Sequence, residues 1–575
     1  MNKKQVLVIG GGIAGVQAAL DLAQMGVRAV LVEEQPSIGG RMAQLDKTFP
    51  TNDCSTCILS PKLVELADHP NAEILAYSTL QDLVRTDGGF EATVLRKARY
   101  VDAEKCTLCG LCTEKCPVKL PDPFNMGITD RKCIGIPYPQ AVPAAYTIDR
   151  DHCLRLNTGK CGVCEKVCPA GAIDYDQKDA VERFDVSAVI VAAGGEEYTP
   201  RLRPEYGHGL YPNVVTSMEY ERFLSASGPT DGDILRPSDG AHPKRIAFIQ
   251  CVGSRDIAGG ERGYCSAYCC MQATKEAIVS WEHDRDVQVS IFYIDIRAFG
   301  KDFDNFVNRA KDECGVRYVQ SRIAEIVENP GTKSLALKFV APDGAVGEEE
   351  FDLVVLSVGI HVSPRVRALL NRLGVRTDPH GFCPAASFGS GETNAPGIYV
   401  CGTLAGPMDI PETVMSASAA AASAARGLLK RKETEGPDET IPEEAPAPDE
   451  PSALDFDESP RIGVFVCRCG INIASVVDVP AVVERAKGLP NVRVAEEMTY
   501  ACSQNALRTI QDRIAEHRLN RVVVASCSPR THEKVFRGAL RAAGLNEYLL
   551  QMANIRDHCS WVHRDAPEAA TEKAA

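Results

Sequence analysis

The first forty residues pass from an apolar run through a glycine-rich break into a helical repeat. Val6 to Ile9 is wholly apolar, and Gly10-Gly11-Gly12-Ile13-Ala14-Gly15 follows at once. Val16 to Met25 carries apolar residues at helical spacing, Val27 to Val32 is apolar again, and Glu33 closes it. This order predicts a strand, a tight turn, a helix and a second parallel strand. The alternation returns later, with a strand pattern at Lys244 to Val252, a helix pattern at Cys265 to Trp281 and a strand pattern at Val287 to Asp295. Two more buried strand patterns, Asp185 to Gly195 and Asn394 to Gly406, end in small residues, and the Ala-rich Glu412 to Leu429 reads as a helix. Glu433 to Glu458 is dense in Glu, Asp and Pro, a composition that supports no core. Arg461 opens a new unit of strand and helix patterns, which runs to a helical C-terminal end from Glu568.

The first unit fits a dinucleotide-binding turn in its proper context. Gly10 permits the turn, Gly12 lets backbone N–H groups approach a pyrophosphate, and Gly15 lets the helix pack on the strand. Glu33 sits where a carboxylate accepts ribose hydroxyls. FAD rather than NAD follows from Gly39-Gly40-Arg41, from the small residues at Gly194, and from the strand that ends at Gly402. These pieces resemble the scattered FAD motifs of two-dinucleotide-binding-domain flavoproteins such as thioredoxin reductase. That family has Gly-Asp at the third motif, whereas this chain has Gly402-Thr403, and Asp409 is the candidate substitute. The second unit turns through Cys251-Val252-Gly253-Ser254-Arg255-Asp256 without GxGxxG. The expectation there is the fold without NAD(P)H binding.

The 575 residues suffice for three or four domains. A net charge of −14 argues against a nucleic-acid role, for which a basic face would be expected. The N-terminus shows no signal-peptide pattern, and no apolar run is long enough to span a bilayer, so a cytoplasmic protein without a transmembrane segment is expected. The 23 cysteines alter this plain picture. In a reducing compartment their clustering favours metal or redox work over a disulfide framework.

Four groups stand out. Cys106, Cys109, Cys112 and Cys116-Pro117 follow the bacterial ferredoxin spacing, and Cys153, Cys161, Cys164 and Cys168-Pro169 form a second run. In such pairs the fourth cysteine ligates the other cluster. One 4Fe–4S cluster is therefore expected on Cys106, Cys109, Cys112 and Cys168, and a second on Cys153, Cys161, Cys164 and Cys116. The trailing prolines disfavour zinc, and Cys133 fits neither run. Cys54 and Cys57 form a CxxC pair suited to a disulfide or to two cluster ligands, with structural cysteines as the bland reading. Cys251, Cys265, Cys269 and Cys270 lie on a turn and a helix start. They are candidates for a third cluster, although neighbours on a helix point in different directions. Cys467, Cys469, Cys502, Cys527 and Cys559 are five candidates for the four ligand places of a C-terminal cluster. Cys314, Cys383 and Cys401 read as core.

Long segments then carry a family resemblance: GGRMAQLDKTFPTNDCSTCILSPKLVE from Gly39, PYPQAVPAAYTID from Pro137, FIQCVGSRD from Phe248 and YCSAYCCMQATKEA from Tyr264. VFVCRCGINI, ACSQ, SCSPRTHE and NIRDHCSWVH extend it into the last unit. The chain resembles the A-type subunits of heterodisulfide reductase over nearly everything but the acidic linker. In that family the VCRCG…SCSPRTHE unit precedes the FAD domain, whereas here it follows, and the C-terminal ferredoxin pair is missing. This suggests a tandem fusion cut short or a rearranged variant. The resemblance implies an FAD and iron–sulfur oxidoreductase performing electron bifurcation or confurcation, with Lys275 near flavin N5. In disulfide-reductase flavoproteins a redox pair follows the first FAD segment, the place that Cys54 and Cys57 take here. The implied partners in a hetero-oligomer are B- and C-type subunits, a hydrogenase- or formate-dehydrogenase-linked input subunit, and ferredoxin. Rival readings are a stand-alone NAD(P)H oxidoreductase and a non-bifurcating subunit of a quinone-linked complex.

The expected fold is α/β, a thioredoxin-reductase-like two-dinucleotide-binding-domain flavoprotein with a two-cluster ferredoxin insert and a C-terminal α/β cluster-binding domain. The expected bounds are 1–96, 180–240 and 351–431 for three FAD-domain parts, and 97–179 for the insert. The pyridine-nucleotide-like unit takes 241–350, the linker 432–459 and the C-terminal unit 460–575.

Overall fold

In the computed structural model, residues 5–256, 262–341, 344–384, 391–434 and 459–575 are described. The chain opens with β1 (Gln5–Ile9), α1 (Ile13–Gln24), β2 (Arg28–Glu33), α2 (Ser55–Ala67) and β3 (Ala72–Ala76), and rejoins the same sheet at β4 (Ala188–Val191). Next come β5 (Val214–Thr216), α3 (Ser217–Leu224), β6 (Arg245–Val252), α4 (Cys269–His283), β7 (Gln288–Tyr293), β8 (Arg317–Gln320) and β9 (Leu353–Val358). The chain returns to the first sheet through β10 (Ile398–Val400) and α5 (Ile410–Thr434). The last unit holds β11 (Ile462–Cys467), β12 (Val492–Met498), β13 (Arg521–Ser526), α6 (Pro529–Ala542) and β14 (Leu550–Asn554).

Three parallel sheets result. The first runs β10-β4-β1-β2-β3, the second β5-β9-β6-β7-β8 and the third β12-β11-β13-β14. β1, β4 and β9 are buried along their whole length, as expected of strands covered on both faces by helices. The doubly covered α/β architecture expected from the sequence is thus present. The acidic segment 435–458 lies outside the described residues.

Between β3 and β4 the chain forms an antiparallel sheet of strands Ser78–Thr86, Gly89–Arg96 and Ala180–Val186. Arg96 pairs with Ala180, so the cysteine-bearing insert leaves and re-enters the fold at adjacent points. The C-terminal unit packs against the first. α6 lies on α2, Lys534 pairs with Glu65 at 2.5 Å, and the Ala144 N–H donates to Gln504 Oε1 at 3.0 Å. One continuous apolar core includes Val6 and Leu63 from the first unit and Phe465 and Phe536 from the last.

The second helix pattern needs correction. The helix expected from Cys265 begins at Cys269, because Ser266 to Tyr268 form a turn with Ala267 at φ 68°. That turn folds Cys265 back toward Cys251.

Gly15 of α1 fits only without a side chain. A Cβ there would stand 1.8 Å from the Gly10 carbonyl oxygen, which is backbone and cannot move aside. Gly15→Ala is therefore expected to destabilise the chain by ~3 kcal/mol, the upper end of overpacking costs. Urea unfolding followed by circular dichroism checks this, and an unchanged midpoint would refute the packing account.

Candidate functional site

The β1–α1 turn, the Gly39-Gly40-Arg41 segment, the end of β4 and the end of β10 converge on one cavity of about 1090 Å³. Gly10, Gly12, Glu33, Gly40, Arg41, Gly194, Gly402 and Asp409 all line it. Gly15 does not; its place is between helix and strand. A Cβ on Gly12 would meet nothing within 4 Å, so the N-terminus of α1 opens onto the cavity. Glu33 accepts from the Gly11 N–H at 2.6 Å and the Gln35 N–H at 2.7 Å, and burial raises its pKa. Asp409 is partly committed to capping α5, since its Oδ1 accepts from the Glu412 N–H at 2.9 Å.

Lys275, on α4, lines the same cavity and is almost wholly buried. Its ammonium contacts Glu221 of α3, itself fully buried. Glu221 Oε2 also accepts from the Asp46 N–H at 3.0 Å. Glu276 lies on the next position of α4, and burial with Glu221 beside it pushes its carboxyl well above the usual range. Gln272 Nε2 donates to Glu276 at 2.9 Å and also lines the cavity. Burial likewise pushes Asp46 up, to about 6, against the opposing pull of Lys47.

A wall of this cavity comes from the insert. Phe124 and Tyr138 stack with ring centroids 5.0 Å apart, and the Tyr138 hydroxyl donates to the Ile38 carbonyl at 2.6 Å. Sequence reasoning did not single out Tyr138, Phe124, Glu221 or Asp46. The signal for Tyr138 lay in the PYPQAVPAAYTID stretch, whose resemblance carries no physical role for the ring.

The cysteines gather around four small cavities. Cys106, Cys109, Cys112 and Cys168 line one. Cys116, Cys153, Cys161 and Cys164 line another, with Cys133 also present. Each run thus lends its last cysteine to the other, and the short helices Leu111–Lys115 and Val163–Val167 pack together. Cys251, Cys265, Cys269 and Cys270 line a third, neighbouring cysteines included. There Cys251 takes φ 62°, and the Cys269 and Cys270 thiols reach the Val358 and Asp295 carbonyls at 3.6 and 3.8 Å. Cys467, Cys469, Cys502 and Cys527 line the fourth, and Cys559, buried elsewhere, does not. Cys54 and Cys57, joined in a disulfide, line this fourth cavity and not the large one. Among the described residues no set of three or more His, Cys, Asp or Glu groups is spaced to hold a single ion. Cys314, Cys383 and Cys401 are buried, as expected.

At the described start of the turn after β6, Gly253 is overlain by a side chain. A Cβ on Gly253 would meet the Tyr198 ring at 2.0 Å, so an aromatic side chain covers the glycine. Among the described residues no helix is long and apolar enough to cross a membrane.

Known proteins resemble this chain in sequence. Residues 4–424 match the family model described as pyridine nucleotide-disulphide oxidoreductase. The chain is 47% identical over 423 residues to the iron–sulfur A-type subunit of the CoB–CoM heterodisulfide reductase of Methanocaldococcus jannaschii, covering 73% of this chain and 64% of that protein. It is 44% identical over 431 residues to the A-type subunit of the H2:CoB-CoM heterodisulfide,ferredoxin reductase of Methanothermobacter marburgensis, covering 74% and 64%. Among solved structures, thioredoxin reductase of T. acidophilum aligns with a TM-score of 0.42 at 15% identity, covering 74% of this chain and 99% of that one. The chain spans just under two thirds of the length of the curated relatives it matches. It belongs to the pyridine nucleotide-disulphide oxidoreductase family, and within that family its relatives are the A-type subunits of heterodisulfide reductases.

Proposed function

We propose that this chain is an FAD- and iron–sulfur-containing electron-transfer subunit of a heterodisulfide-reductase-type complex, working by flavin-based electron bifurcation or confurcation. The supporting observation is the single cavity where the glycine segments, Lys275 and a wall of the cysteine-bearing insert meet. The names of the relatives, which include CoB–CoM heterodisulfide, ferredoxin and H2/formate, point the same way. The partners are then B- and C-type subunits, a hydrogenase- or formate-dehydrogenase-linked input subunit, and ferredoxin.

The residues fit the cofactors. The open α1 N-terminus at Gly12 suits a pyrophosphate, and Glu33 suits a ribose diol. Each cysteine quartet surrounds a void, and thiolates are the ligands that iron–sulfur clusters take. FAD would supply paired or single electrons, and the clusters single electrons. The protein's own work is positioning and charge. Lys275 provides a cation at the cavity wall, held in place by Glu221, and burial beside Glu221 raises the Glu276 carboxyl pKa next to that pair. Tyr198 over Gly253 supports a chain that does not use NAD(P)H as a stand-alone reductase.

Flavin and iron quantification with EPR of the reduced protein tests the reading. The expectation is one FAD and about sixteen irons per chain, four to each quartet. Fewer than about eight irons per flavin would sink it.

Lys275→Met should leave Glu221 buried and unpaired, at a cost of ~3–5 kcal/mol. It should also lower the flavin midpoint potential by tens of millivolts, at ~30 mV per 1.4 kcal/mol for a two-electron couple. Adding Glu221→Gln should restore stability without restoring the potential. Thermal unfolding and a dye-mediated spectroscopic titration read the two effects, and an unmoved potential would remove Lys275 from the flavin.

Asp46 sets a pH dependence. Its folded pKa of about 6 lies above the ordinary 3.8, so its contribution to stability is present below pH 3.8 and is lost as pH rises through 6. Asp46→Asn should therefore match the parent near pH 4 and exceed it by ~1 kcal/mol above pH 7, after allowance for solvent screening. Parallel denaturation curves at several pH values check this, and a constant difference would contradict it.

A further inference from the structure

Six cysteines line the fourth cavity, two more than one cluster takes. Four come from the C-terminal unit, and two, Cys54 and Cys57, come from the N-cap and first turn of α2, over four hundred residues earlier. The two groups meet because α6 packs on α2. Gly470, next to Cys469, closes on Ala226, where a Cβ would stand only 3.0 Å from the Ala226 methyl.

The Cys54–Cys57 pair shares its cavity with the Leu45-Asp46 strip. Leu45 lines both cavities and Asp46 lines the fourth. The Asp46 carbonyl accepts from the Ser55 N–H at 2.9 Å, while its N–H donates to Glu221, the partner of Lys275. A single strip of backbone therefore separates the Lys275 wall from the disulfide.

We infer that Cys54 and Cys57 form a redox-active pair serving the C-terminal cysteine quartet, a two-electron store that gathers electrons delivered singly. The inference rests on the reading that Cys467, Cys469, Cys502 and Cys527 hold an iron–sulfur cluster. Reduction breaks the Sγ–Sγ bond and leaves two thiols, consuming two electrons and two protons. The electrons come one at a time from an iron–sulfur carrier at the quartet, and the protons come from water. Oxidation runs the same balance backwards. Since the quartet already supplies four thiolates, the pair is free to cycle without dismantling the site.

The test uses the full chain loaded with FAD and iron. The protein is reduced with titanium(III) citrate, quenched at intervals with N-ethylmaleimide, and the Cys54/Cys57 peptide is read by mass spectrometry. Flavin bleaching is followed in the same samples. In the parent chain both thiols should become alkylated. In Cys527→Ser, alkylation should slow by about tenfold or more while bleaching keeps its rate. Cys502→Ser should behave alike, which guards against one variant failing to fold, and Cys251→Ser, at a different quartet, should leave the pair's kinetics unchanged. In Cys54→Ser/Cys57→Ser the iron content should stay at the parent value, and the EPR signal of the C-terminal cluster should change shape.

Equal alkylation rates in the parent and both quartet variants would overturn the inference. So would loss of iron from the double serine variant, which would make the pair ligands. Iron content separates the two levels of failure. If Cys527→Ser loses about four irons but the pair's kinetics hold, the inference fails and the cluster reading stands. If no iron is lost, both fail.

Discussion

Two adjacent buried charges, Glu221 and Arg222 on α3, tie the separate parts of this molecule together. Both side chains are fully shielded from water. Burying an ion costs several kcal/mol unless it is paired and hydrogen-bonded, so such groups persist only where geometry satisfies them. Neighbours on a helix point about 100° apart, given 3.6 residues per turn. Glu221 accordingly reaches Lys275 on α4 and the Asp46 N–H. Arg222 donates to the Gln44 carbonyl at 2.6 Å, to Asn125 of the insert at 3.0 Å and to the Ser227 carbonyl at 3.2 Å. Its guanidinium also stands 4.9 Å from the Phe124 ring centroid. Four chain segments distant in sequence are thereby fixed against one another.

This explains why the cavities adjoin. The Gln44–Asp46 strip is held from one side by both residues of the pair, and it forms the partition between the large cavity and the C-terminal cysteine site. Asn125 anchors the insert so that its Phe124–Tyr138 stack faces the glycine segments. These contacts fix the spacing between the large cavity and the cysteine-lined cavities. The capping box of Thr216 and Glu219 adds to this by fixing where α3 begins.

The parts of the fold that were legible in sequence are those with strong periodicity. β1, α1 and β2 form one continuous pattern, and the structure places them within a residue or two of it in most cases. The cysteine runs were legible because ligand spacing is itself a local pattern, and the exchange of Cys116 and Cys168 between sites follows from it. What escaped was non-local. In Ser217–Leu224 the charged residues look like a solvated helix face, and nothing local reveals that Glu221 and Arg222 are enclosed by α4, the Gln44 strip and the insert. The choice of four among five C-terminal cysteines depends on how the last unit folds, and the placing of Cys54 and Cys57 at the fourth cavity depends on docking between units.

That docking also bears on the order of the units. In the family this chain resembles, the SCSPRTHE unit stands before the FAD domain, and here it stands after. Its attachment uses α6 on α2, Lys534 with Glu65, and Gln504 with Ala144, none of which involves chain continuity. The seat is fixed by the contacts of α6, Lys534 and Gln504 with α2, Glu65 and Ala144.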